Sequence, residues 1–129
     1  MDTRIYIAVG IGGMIGALLR YAISMILAGD YVFPYATLIT NFIGCFLLSF
    51  LLNHSSIRSK LRDDVFTGLT TGLIGAFTTF STFAVETIEL WNENVLFALL
   101  YTGISMIGGL AFCFMGFMLS TKIKMQGAS

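Results

Sequence analysis

Gly72-Leu-Ile-Gly-Ala-Phe-Thr-Thr-Phe-Ser-Thr-Phe83 carries no charge and no proline. It is apolar enough for lipid, yet it makes a poor uniform helix. Two glycines add backbone freedom, the threonines are β-branched, and four consecutive-turn hydroxyls compete for the backbone ladder. A break in a helix at membrane depth is tolerated only where it is buried or lines a cavity, and the freed carbonyls there can coordinate a cation. Beyond the expected break, Phe80 and Phe83 share one helical face at i, i+3 spacing. A benzene ring has a positive edge, so two such edges can line a path for an anion. In isolation the same pair also reads as plain packing.

The rest of the chain places this segment in a bilayer. It has 129 residues, of which 57% are hydrophobic and 11% charged, and its mean hydropathy is +0.88. A soluble domain of this size needs more charge to cover its surface. A hydrocarbon core of about 30 Å takes about 20 apolar residues per helical span. The breaks divide the chain into a single transmembrane domain of four spans, at roughly residues 4–28, 35–52, 65–91 and 95–119. The fold class is therefore an all-α membrane protein of four transmembrane helices, the third broken mid-membrane. The first span ends at Gly29-Asp30. Tyr31, Phe33 and Tyr35 then form an aromatic cluster suited to the interface, and Pro34 fits at the start of the second helix. Asn53 to Asp64 is a polar loop whose two final aspartates are placed to cap the next helix. Trp91 sits where an interfacial anchor belongs, and Asn92 to Asn94 is a tight turn.

An even number of spans puts both termini and the 53–64 loop on one side. That side collects Arg4, Arg58, Lys60, Arg62, Lys122 and Lys124, whereas the other has Asp30, Glu93 and no Lys or Arg. The bias predicts both termini in the cytoplasm. Ile5 to Leu27 is too long for a signal-peptide core and contains Arg20, so it is read as a span and not as a cleaved leader. A net charge of zero gives no reason to expect nucleic acid as a partner.

Four short helices cannot enclose a wide cavity, so such a chain either oligomerises or anchors something else. Gly12 with Gly16 and Gly68 with Gly72 have the four-residue spacing of close helix approach. Arg20 lies well inside the first span; it either snorkels to an interface or lines a water-filled vestibule that concentrates anions. Asn41 is a bare amide in the second span, with Thr37 and Gly44 on its face. Its NH₂ is a donor suited to a small anion. Tyr101 and Ser105 form an i, i+4 hydroxyl pair in the fourth span. Such donors either replace water around a strongly hydrated anion or only bond helix to helix. Glu86 and Glu89 are close enough to the end of the third span to reach the interface. Cys45 and Cys113 read as small apolar residues, and His54 as an ordinary loop histidine. No nucleotide fingerprint, nucleophile–base set or metal-ligand cluster is present, so an enzyme is not expected.

Taken together, GGMIGALLRY (12–21), TLITNFIGCFLL (37–48) and GLIGAFTTFSTFAVE (72–86) resemble the Fluc (CrcB-type) fluoride channels across nearly the whole chain. The resemblance implies an antiparallel, dual-topology dimer in the bacterial cell membrane, with two narrow pores exporting cytoplasmic fluoride passively. Phe80 and Phe83 then correspond to the phenylalanine ladder and Asn41 to a fluoride donor. Ser81 and Thr82 resemble the pore-lining hydroxyls, Tyr101 and Ser105 the polar track of the fourth helix, and Arg20 the vestibule arginine. The backbone carbonyls of Gly75 and Thr78 from both subunits would hold one structural Na⁺. A serine expected one turn beyond Ser105 is replaced by Gly109. The one-sided charge also fits poorly with insertion in both orientations. The partner is thus either a second copy or an oppositely oriented homologue. Two other readings remain: a non-conducting accessory subunit, and a small multidrug resistance type exporter. The exporter needs a membrane carboxylate, which the first two spans lack.

Overall fold

The computed structural model describes residues 2–30 and 32–127. Tyr31, one of the expected aromatic cluster, lies outside them. All regular structure among the described residues is helical. Four stretches are long and apolar enough to cross a membrane: Thr3–Ile26, Tyr35–Asn53, Asp63–Glu93 and Val95–Gly127. The chain is a multi-pass membrane protein.

Helix α1 (Thr3–Ile26) starts at Asp2, whose carboxylate accepts the Arg4 N–H at 3.3 Å. Helix α2 (Tyr35–Asn53) follows directly on Pro34, where the missing proline N–H would have had no helical partner. The 53–64 connection is more ordered than its polarity suggests, since it contains the short helix α3 (Ser55–Lys60). His54 starts that helix by accepting the Ile57 N–H on Nδ1 at 3.2 Å. Asp63 and Asp64 stand inside the first turn of α4 (Asp63–Thr67), where they complement the helix dipole. They also pair with the loop, Asp63 with Arg58 at 2.9 Å and Asp64 with Arg62 at 2.7 Å.

The third span changes pitch twice. From Gly68 to Ile74 it is a π-helix, which returns to α geometry in the single turn α5 (Gly75–Phe77). The Thr70 hydroxyl donates to the Phe66 carbonyl at 2.9 Å. The same back-bond occurs in α-helical turns at Thr87 and Thr102, so it does not by itself set the wider pitch. Residues 78–80 are not helical, and Thr78 is extended at φ −79°, ψ 159°. The helix resumes as α6 (Ser81–Glu93). One residue, Asn94, then joins α6 to α7 (Val95–Gly127), and its side chain accepts the Leu96 N–H at 3.0 Å. The expected turn is thus shorter than Asn92 to Asn94. The fourth helix is longer than expected: its 33 residues span about 50 Å at 1.5 Å per residue, well beyond a hydrocarbon core.

Helix α1 packs against α4, the π-helix and α5, while α7 packs against both α2 and α6. The α1 contact rests on backbone-to-backbone approach. A Cβ on Gly72 would come within 2.6 Å of the Val9 carbonyl oxygen, and one on Gly12 within 2.9 Å of the Leu73 nitrogen. Gly68 meets Ala8 and Gly16 meets Phe77 in the same ascending order, so α1 runs parallel to the third span. Helices α2 and α7 are likewise parallel, with Phe42 beside Phe112 and Ser49 bonded to the Cys113 carbonyl. Both chain ends and the 53–64 connection therefore lie at one end of the bundle.

Candidate functional site

The site is organised around the non-helical residues 78–80. In a continuous helix the Thr79 N–H would donate to Gly75, but here it donates to Asn41 Oδ1 at 2.8 Å. Asn41 Nδ2 in turn donates to the Thr79 carbonyl at 3.0 Å. A backbone N–H can only donate and a carbonyl only accept, so this pair of bonds fixes which way the amide faces. The Ala76 carbonyl, whose helical donor would be Phe80, instead accepts Arg20 Nε at 3.1 Å. Arg20 of the first span and Asn41 of the second thus both bond to backbone groups of residues 76–79. Thr79 also starts α6. Its hydroxyl accepts the Thr82 N–H at 3.2 Å, donates to Thr82 Oγ1 at 3.1 Å, and lies 3.4 Å from Ser81 Oγ.

Thr78 faces the other way. Its N–H and its hydroxyl both donate to the Ile74 carbonyl at 3.0 Å, and the hydroxyl stands 3.5 Å from the Gly75 carbonyl. Gly75 keeps only that long contact in place of its helical donor. The turn fits because Gly44 on α2 leaves room for the Thr78 methyl group, which a side chain at 44 would overlap.

Two cavities meet at Thr79. The first, of about 460 Å³, is lined by Arg20, Thr37, Thr40, Thr79, Thr82 and Glu86. The second, of about 430 Å³, holds Asn41, Gly75, Thr78, Phe80, Phe83 and Ser105 on its walls, with Gly109 beside Ser105. A Cβ at Gly109 would touch only Cys45 Sγ, at 3.6 Å. The position thus has room for a serine.

Phe80 and Phe83 are neighbours, with ring centroids 5.8 Å apart and planes tilted by 45°. Phe80 is 78% exposed. Phe83 continues to Tyr101 at 5.2 Å, and Tyr101 meets Phe33 edge-on at 5.4 Å. The aromatic row therefore runs from the second cavity to the connection before α2.

The residue that sequence reasoning missed is Glu86. Expected to reach the interface, it does line a cavity with Asp30, Glu89 and Glu93 at the end of the third span, but its carboxylate also turns inward. One carboxylate oxygen accepts the Thr37 hydroxyl at 2.9 Å, and the other accepts the Tyr101 hydroxyl at 2.8 Å. Thr37 and Tyr101 each have one hydroxyl proton, and in this arrangement both protons go to Glu86. Tyr101 is fully buried. The available signal was spacing: Glu86 lies on the face of Thr82 and Phe83, one turn on. Asn41 retains a second Nδ2 proton beyond the Thr79 bond, and Ser81, Thr82 and Ser105 supply the remaining hydroxyls.

Comparison with known proteins gives the family of the chain. The family described as CrcB-like protein, Camphor Resistance (CrcB), matches residues 7–117. Over 122 residues the chain is 46% identical to a protein of Bacillus thuringiensis subsp. konkukian named fluoride-specific ion channel FluC 1, covering 92% of this chain and 89% of that one. It is 45% identical over 123 residues to fluoride-specific ion channel FluC 2 of Listeria monocytogenes serotype 4b, covering 95% of each. The match takes in every segment that builds the two cavities, and the chain belongs to the CrcB family.

Proposed function

We propose that the chain is a fluoride-selective channel of the bacterial cell membrane that lets cytoplasmic fluoride leave passively. The observation that carries this reading is the convergence of Asn41, Phe80 and Phe83 on one cavity beside residues 78–80, in a chain similar to proteins named fluoride-specific ion channels. Fluoride is small and strongly hydrated, so a pore must replace its water with closely spaced donors. In the cavity itself the second Asn41 proton and the Ser105 hydroxyl are such donors, with the Thr82 hydroxyl in the neighbouring cavity and the exposed Ser81 hydroxyl beside Thr79. The edges of Phe80 and Phe83 carry positive charge without binding the ion tightly. Arg20 in the neighbouring cavity raises the local anion concentration. Thr37 and Tyr101 join this path when their hydroxyls turn from Glu86.

The pores form between two antiparallel subunits. A ring as exposed as Phe80 is suited to a second subunit, and the partial carbonyl shell at Gly75 and Thr78 is completed by the same atoms of a partner. Na⁺ bound there would neutralise the carbonyl dipoles and tie the two third helices together. The one-sided distribution of Lys and Arg favours an oppositely oriented homologue as that partner.

Anion efflux from liposomes holding the purified chain, read with a fluoride electrode beside a chloride control, tests the reading. Fast fluoride loss without chloride loss from the chain alone, falling to background for Phe80→Ile, would establish a self-sufficient homodimeric channel and overturn the heterologous partner. Co-reconstitution with an oppositely oriented homologue is the second arm. Absence of fluoride efflux in both arms overturns the proposal.

A further inference from the structure

The chain has two cysteines, and the fold brings them together. Cys45 on α2 and Cys113 on α7 are both half-buried and both free. The Cys113 thiol donates to the Cys45 carbonyl at 3.7 Å, which brings it next to that residue. Both line the cavity that holds Asn41 and Phe80. Asn41 is one helical turn before Cys45, while Cys113 ends the row Ser105, Gly109, Cys113 on one face of α7. The absence of a side chain at Gly109 leaves the Cys45 sulfur accessible from the cavity. The pair is therefore a pincer between the two helices and not two isolated apolar side chains.

Donor number and charge select its ligand. Among the described residues no third His, Cys, Asp or Glu joins the pair. Zinc, which requires about four ligands in a tetrahedron, is poorly served. Two soft thiolates suit a soft cation content with two ligands in a line. Apolar side chains such as Phe42, Leu48 and Met106 make up most of the cavity wall, with Asn41, Thr78 and Ser105 among its polar members, so a complex without net charge is favoured. A divalent ion held by two thiolates has none, whereas a monovalent ion held by two leaves one negative charge.

We propose that Cys45 and Cys113 form a two-coordinate site for a soft divalent cation of the Hg²⁺ type, and that its occupation staples α2 to α7 and blocks the cavity beside Asn41 and Phe80. Each thiol loses its proton to water and forms one sulfur–metal bond, so one Hg²⁺ displaces two protons with no change of oxidation state. The block rests on the channel reading above, whereas the site does not.

Titration of the reduced full-length chain in detergent with HgCl₂, followed by thiolate-to-mercury absorbance in the ultraviolet, tests the site directly. The absorbance is expected to plateau at one Hg²⁺ per chain, with both titratable thiols lost at the same point. Loss of chelation in Cys45→Ala or Cys113→Ala should let a monothiol competitor strip the metal at least about 100-fold more readily. A plateau at two Hg²⁺ per chain, or at one per two chains, overturns the site without reference to any variant. So does a single-cysteine variant that holds the metal as tightly as the parent. In proteoliposomes, Hg²⁺ should stop fluoride efflux and a dithiol should restore it, with the Cys45→Ala/Cys113→Ala double variant insensitive. Unchanged efflux at full loading overturns the block. If the unloaded chain moves no fluoride with or without a partner, the channel reading fails while the absorbance titration still decides the site.

Discussion

Asn41 shows how one side chain compensates a non-helical backbone. It satisfies both the N–H and the carbonyl of Thr79, groups that would otherwise be unpaired away from water. Asn41→Ala should therefore lower unfolding free energy by about 1–3 kcal/mol through the orphaned pair. Asn41→Asp keeps the acceptor but turns a second oxygen toward the Thr79 carbonyl, so it should be at least as damaging. Thermal unfolding of the detergent-solubilised protein measures both, and an unshifted Asn41→Ala would mean that Thr79 finds other partners. Glu86 is the hub of a second network, with Thr37 and Tyr101 on separate carboxylate oxygens. A double-mutant cycle between Glu86→Gln and Tyr101→Phe should give a coupling of about 0.6–2 kcal/mol, the range for hydrogen bonds inside membrane proteins. Asn41 was singled out as a bare amide within a span and Thr37 for sharing its face, and each does have a specific polar partner. The identity of those partners, 49 and 38 residues away, is not encoded in any local spacing.

At the level of elements, the third span is held against α1 by glycines. The Gly72 Cα faces the Val9 backbone, so an added side chain meets atoms that cannot rotate away. Gly72→Val should destabilise by about 1–3 kcal/mol or more. Gly103→Ala, where nothing lies within 4 Å, should stay within about 0.5 kcal/mol of the parent. Equal melting temperatures for the two variants would show that the α1 contact is not packed this closely. The four-residue glycine spacing was readable in advance because close approach demands small residues at fixed intervals. The π-helix from Gly68 to Ile74 was not. Its glycines and threonines suit an α-helix as well, as the same threonine back-bond in the α-helical turns at Thr87, Thr102 and Thr121 shows. Likewise Asn53 to Asp64 read as a loop by polarity alone, while His54 and the Arg58–Asp63 and Arg62–Asp64 pairs organise it.

For the whole molecule, both ends of the chain and the 53–64 connection share one end of the bundle, together with Arg4, Arg58, Lys60, Arg62, Lys122 and Lys124. Epitope tags at either terminus should be protected in intact cells and reached only after permeabilisation. A roughly equal mixture of orientations would sink the heterologous-partner reading and favour a homodimer. The number and order of the spans follow from the sequence by itself, because hydropathy and interfacial aromatics act on local segments against a bilayer of fixed thickness. Phe80 and Phe83 share a face for the same local reason. The tertiary structure alone decided that Asn41 and Arg20 meet the same few residues of the third span, that Glu86 turns inward, and that Cys45 and Cys113 face each other. Each of these depends on where one helix crosses another, and a crossing is set by the joint packing of both surfaces, which neither segment specifies alone.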